Sequence, residues 1–119
     1  MVIGDNGGEL DKVLVLVTCA SEEEARRLAR SLVERRLAAC ASLCGPTRSW
    51  FSWKGQLEEC AEVGLTLKTR VDRLEELEQA IRELHSYETP EIVVVPIVGG
   101  SRDYLDWMDH SLERRARDN

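Results

Sequence analysis

Two residues, Lys54-Gly55, separate two strand-like runs that are each about twice the ~5–6 residues usual for a β-strand. The first begins around Ala39-Cys40-Ala41-Ser42-Leu43, bends at Gly45-Pro46 and resumes through Arg48-Ser49-Trp50-Phe51-Ser52-Trp53; the second returns from Leu57 to about Thr69. A hairpin of that length must project beyond the body of a 119-residue domain. Its tip carries two Trp and a Phe, which an isolated arm cannot hold stably in water. Trp50, Phe51 and Trp53 therefore read as interface anchors, with stacking on a ligand as their other use.

The elements around the hairpin follow from periodicity. Val13-Leu14-Val15-Leu16-Val17 is a continuous apolar, largely β-branched run that predicts a central buried strand. Ser21-Glu22-Glu23-Glu24 fits a capping box, and Ala25, Leu28, Ala29, Leu32 and Val33 continue as one helical stripe. Thr69 is placed to cap a second helix, with Asp72 three residues on and Val71, Leu74, Leu77, Ile81 and Leu84 along its inner face. Pro90 biases Thr89 away from helical angles, so that helix must end near His85. Ile92-Val93-Val94-Val95 then reads as a strand buried on both faces. After Gly99-Gly100, Ser101 caps a last helix whose inner face holds Tyr104, Leu105, Met108 and Leu112.

The predicted order is β-α-β-β-α-β plus a C-terminal helix: an α+β, ferredoxin-like antiparallel sheet with both main helices on one face. Residues 12–115 form one domain between a flexible N-terminal tail, 1–11, and a C-terminal tail, 116–119. The uncovered sheet face and the aromatic arm call for a second copy of the chain, so a homo-oligomer is expected.

Charge and composition exclude several roles. A net charge of −6 with pI near 5.0 repels a polyanion, so no nucleic-acid partner is expected. No apolar stretch approaches the ~18 residues of a membrane span and no signal-type segment opens the chain, which predicts a cytoplasmic protein without a membrane partner. Four cysteines without a Cys-x-x-Cys pair read as reduced thiols. Cys40 and Cys44 share a strand face ~13 Å apart and read as core-filling thiols, whereas Cys60 near the hairpin tip is the accessible one. No nucleophile–base pattern or phosphate-cradling glycine loop is present, so no enzymatic activity is expected.

Polar chemistry concentrates at one junction, His85-Ser86-Tyr87-Glu88-Thr89-Pro90-Glu91. His85 is either a helix-terminal donor to free carbonyls or a metal ligand, since imidazole suits both copper and zinc. Glu91 is either a strand-entry carboxylate paired with a Lys or Arg, or a further ligand. Glu22-Glu23-Glu24 reads as a helix start and not as a metal site, and His110 as a solvated residue.

The whole pattern resembles the CutA family of divalent-cation tolerance proteins. The resemblance rests on Val17-Thr18-Cys19-Ala20-Ser21-Glu22-Glu23-Glu24-Ala25, Glu34-Arg35-Arg36-Leu37-Ala38-Ala39-Cys40, Trp53-Lys54-Gly55, Leu67-Lys68-Thr69, the His85-to-Ile92 junction and Tyr104-Leu105-Asp106-Trp107. It implies a homotrimer whose long hairpins wrap neighbouring subunits, and a role in the response to copper and other divalent metal ions. It also implies copper ligands at a strand-end thiol, at His85 and at Glu91. At the thiol position this chain has Val17, and Cys19 lies two residues further on the same face, ~6–7 Å away. Lys68 and Tyr87 join Trp50, Phe51 and Trp53 as expected residues of the intersubunit cleft or interface. The rival reading is a trimeric signal-sensing module resembling PII proteins, with a small ligand held between subunits.

Overall fold

The computed structural model describes residues 2–3 and 10–114. In chain order the elements are β1 (Val2–Ile3), β2 (Lys12–Cys19), α1 (Glu22–Glu34), β3 (Cys40–Trp53), β4 (Gln56–Arg70), α2 (Leu74–Leu84), β5 (Val93–Pro96), β6 (Gly99–Gly100) and α3 (Arg102–Ser111). Strands β3, β4, β2 and β5 pair in that order as one antiparallel sheet, which is the ferredoxin-like arrangement with α3 added. Within the segment read as an N-terminal tail, Val2–Ile3 pairs with β6. Leu10 and Asp11 of that segment are also described, whereas 1, 4–9, the domain's last residue 115 and the whole C-terminal tail 116–119 lie outside the described residues.

Alternation along the strands decides what faces the helices. Val13, Val15, Val17 and Cys19 of β2 and Leu65 and Leu67 of β4 pack against Ala25, Leu28 and Leu32 of α1 and Leu77, Ala80 and Ile81 of α2. A smaller cluster of Ala39, Leu105, Met108 and Leu112 seats α3. Lys12, Lys68 and Arg70 lie on the face turned away from the main helices and tie α3 down. Lys12 and Arg70 reach Asp109 at 3.3 and 3.1 Å, and Lys68 Nζ lies 3.2 Å from the Tyr104 hydroxyl.

The hairpin is as long as its sequence requires, 14 and 15 residues, with Trp53 opposite Gln56 across Lys54-Gly55. Both turn residues have positive φ, +52° and +78°, the geometry whose twist matches the strands it joins. The predicted bend at Gly45-Pro46 is a bulge: Cys44 pairs with Gly64, but Thr47 pairs with Glu62. Beyond it, Phe51 and Trp53 fall on one face of the arm and Trp50 and Leu57 on the other. The radius of gyration, 15.5 Å, exceeds the ~13.5 Å of a compact chain of this length because of this arm.

Four local expectations are corrected. The β5 strand is not buried on both faces: Val93, Val94 and Val95 are exposed, because β5 is the edge of the sheet and, among the described residues, pairs only with β2. Thr69 does not cap α2; its hydroxyl is buried and donates to the Leu37 carbonyl at 2.7 Å, and α2 is entered through an uncapped 3-10 turn, Val71–Arg73. Val33, Val71 and Leu84 are exposed, so the apolar stripes of both helices are shorter than the sequence suggested. Cys40 and Cys44 are not core thiols, because their partners Lys68 and Gly64 lie on the face away from the helices; Cys44 is exposed, Cys40 half-buried.

Candidate functional site

The end of β2, the start of α1 and the end of α2 converge on one buried polar cluster. Ser21 caps α1 as expected, its hydroxyl accepting from the Glu24 amide at 3.1 Å. Glu24 then turns back beneath the cap. Its Oε1 accepts the Ala20 N–H at 3.1 Å, and its Oε2 reaches across the chain to the Ser86 N–H at 2.9 Å. One carboxylate thus joins the strand-to-helix turn to the junction after α2. Burial pushes this carboxyl up, but its hydrogen bonds from Ser86 and Ala20 outweigh that and hold it below its ordinary value.

His85 ends α2. Its amide still donates to the Ile81 carbonyl at 2.8 Å, while its own backbone is already extended. The imidazole is fully enclosed. Nε2 lies 2.7 Å from the Thr18 carbonyl oxygen, an atom that only accepts, so Nε2 carries the proton. Nδ1 therefore holds the lone pair, and it accepts the Tyr87 N–H at 3.0 Å. These partners define a neutral imidazole of fixed tautomer. The expected helix-terminal donor role is met in altered form, with the accepting carbonyl on β2.

Cys19 completes the group with no solvent exposure. Burial, reinforced by the Glu24 and Glu62 carboxylates, pushes its thiol up to about 11, so it stays protonated at neutral pH. The ligand atoms of Cys19, Glu24 and His85 all lie within 4.8 Å of one another. The edges of a tetrahedral site with ~2.0–2.3 Å bonds are ~3.3–3.8 Å, so contraction by about 1 Å would bring these donors around one ion. A thiol, an imidazole and a carboxylate together suit zinc or copper.

Of the residues singled out in the sequence, His85, Cys19 and Tyr87 come together here. Tyr87 sets its ring centroid 4.8 Å from that of His85 and donates its hydroxyl to Glu62 at 2.8 Å. Burial and the Glu62 carboxylate push its phenol well above the usual range. Glu91 is exposed and lies outside the group, whose carboxylate is that of Glu24. The reading of Glu24 as a helix start only is incomplete, since the same side chain caps the turn and faces the thiol. The signal was available in the short spacing between a strand-end Cys and the third residue of a capped helix. Glu62, buried on β4, gave no such signal, because its partner is distant in sequence.

The remaining residues lie apart. Trp50, Phe51 and Trp53 are exposed on the arm, Trp50 to 60%. Lys68 lies at the other end of β4 beneath α3, its ammonium 5.1 Å from the Tyr104 ring centroid. Cys44 is more exposed than Cys60, and His110 is exposed beside Glu113 at 3.1 Å. No helix among the described residues is long and apolar enough to cross a membrane.

Comparison with known proteins agrees with this architecture. The family model described as CutA1 divalent ion tolerance protein matches residues 13–111. A divalent-cation tolerance protein CutA of Pectobacterium atrosepticum is 41% identical over 102 residues, covering 86% of this chain and 93% of the relative. The solved structure of the Thermus thermophilus divalent cation tolerance protein superposes with a TM-score of 0.80 at 42% identity, over 82% of this chain and 94% of that one. That of the Archaeoglobus fulgidus protein, described as periplasmic, gives 0.83 at 37% identity, over 86% and 99%. The chain belongs to the CutA1 divalent-ion tolerance family.

Proposed function

We propose that this protein acts in divalent-cation tolerance as a homotrimer that binds copper or another divalent cation at Cys19, His85 and Glu24. The observation that carries the reading is the enclosure of thiol, imidazole and carboxylate within 4.8 Å of one another. A soft divalent cation is favoured because a thiolate and an imidazole are its preferred donors. Taking it up requires Cys19 to release its proton and the Nε2 proton of His85 to move to Nδ1, which breaks the bonds to the Thr18 carbonyl and from the Tyr87 N–H, so binding is coupled to release of the thiol proton. Assembly is supported by the apolar surface a single chain leaves open: Trp50, Phe51, Trp53, Leu57 and the β5 valines. The four free cysteines fit a reducing cytoplasm. The role is one of binding, without a catalytic step.

Calorimetric titration with copper and with zinc tests the reading. One ion per chain is expected, with affinity lowered by about 10- to 100-fold or lost in Cys19→Ala and His85→Ala, and unchanged in Glu91→Ala. Binding that survives both of the first two variants would show that the ion sits elsewhere.

A further inference from the structure

Cys19, Glu24 and His85 are all buried, whereas Tyr87, whose ring packs at a tilt of 56° against His85, is half-buried and is the neighbour of the cluster that reaches the surface. Two bonds hold it in place. Its backbone N–H donates to Nδ1 of His85 at 3.0 Å, and its hydroxyl donates to Oε2 of Glu62 at 2.8 Å. These anchors differ in kind. Glu62 is buried in β4, while Tyr87 belongs to the connection between α2 and β5, residues 85–92, which has neither helix nor strand. Its neighbours Ser86, Glu88 and Thr89 are exposed. Cys19 itself is part of the core that α1 and α2 form on the sheet.

We propose that Tyr87, latched by Glu62, is a cover that controls the entry of a divalent cation to Cys19, Glu24 and His85; this rests on the cation-binding reading above. An ion reaches the donors only when the ring leaves His85, and the ring leaves only when the phenol lets go of the sheet. A hydrogen bond from a hydroxyl to a carboxylate lowers the open population by about 10- to 100-fold. That makes opening infrequent without forbidding it. The irregular connection supplies the freedom to swing, because no helix or strand bonding has to break within it.

Alkylation of Cys19 by iodoacetamide in metal-free protein tests the cover independently of any ion. In a Cys40→Ser/Cys44→Ser/Cys60→Ser background Cys19 is the single thiol. Tyr87→Phe, which keeps the ring and loses the latch, is expected to raise the alkylation rate about tenfold, and Tyr87→Ala to raise it further. The ratio to the parent should be the same at pH 8 and pH 9, because the change is in access and not in thiol acidity. Parental rates in both variants would overturn the proposal. Stopped-flow uptake of zinc provides the second measurement, with faster uptake expected in Tyr87→Phe; equal uptake would overturn control of entry. Faster alkylation with no zinc uptake by either protein would overturn the cation reading and leave the cover itself established.

Discussion

Cys19 and Glu24 sit side by side, yet burial and hydrogen bonding drive them in opposite directions. The Cys19 thiol, shielded from water and close to two carboxylates, is raised from 9.0 to about 11. A raised acid favours the folded state while protonated, so its contribution is complete below pH 9 and is lost as pH rises toward 11. Urea unfolding should show roughly 3 kcal/mol lost across that window, and Cys19→Ala should reduce the loss. Glu24 works on the other limb. Its carboxyl is held below 4.5 by amides that need its charge, so its contribution is present above that value and disappears as pH falls through the lowered one. Glu24→Gln should cost about 1–3 kcal/mol at pH 7 and flatten the acid limb of the same unfolding curve.

At the scale of elements, the hairpin shows how turn chemistry fixes register. Gly55 has φ +78° and nothing within 4 Å of where a Cβ would stand, so backbone conformation and not space forbids a side chain there. Gly55→Val should destabilise by about 1–2 kcal/mol in thermal or urea unfolding. The first helix ends with equal economy. Leu37 N–H returns to the Leu32 carbonyl and Arg36 N–H to that of Val33, a Schellman motif with Arg36, φ +59°, at the position glycine usually takes. Arg36 also reaches the Glu113 carbonyl at 3.3 Å, so an unfavourable backbone angle is offset by a tie to the end of α3. No sequence rule reads that tie, because its partner lies on an element far along the chain.

For the whole molecule, the unmet demand is surface. The arm has aromatic side chains on both of its faces, and β5 offers a bare edge lined by valines. Copies of the chain that bury these surfaces in one another satisfy both demands at once, which single-sided packing would not. For the homotrimer proposed above, sedimentation equilibrium should give the mass of three chains. Trp50→Ala combined with Val94→Lys should shift that mass toward one chain, since the pair removes an anchor and places a charge on the edge. A single folded chain at micromolar concentration in the unmodified protein would overturn the assembly.

The order of the main elements, the length of the arm, the cap at Ser21 and the helix end at His85 were legible in the sequence, because each is set by neighbours within a few residues, whereas the short β1–β6 pair, which joins residues far apart in the chain, was not. Periodicity, capping residues and turn glycines act locally, and local rules survive without coordinates. Burial of β5, the role of Thr69 and the placing of Cys40 and Cys44 were not legible, because each depends on which strand face or edge a distant element happens to cover. The cluster divides in the same way. His85 drew notice by chemical type and Cys19 by the family resemblance, but Glu24 looked complete as a cap, and the same resemblance pointed to Glu91 as a ligand. Only the fold set the two carboxylates apart, by directing one beneath the strand end beside the thiol and leaving the other exposed on the single chain.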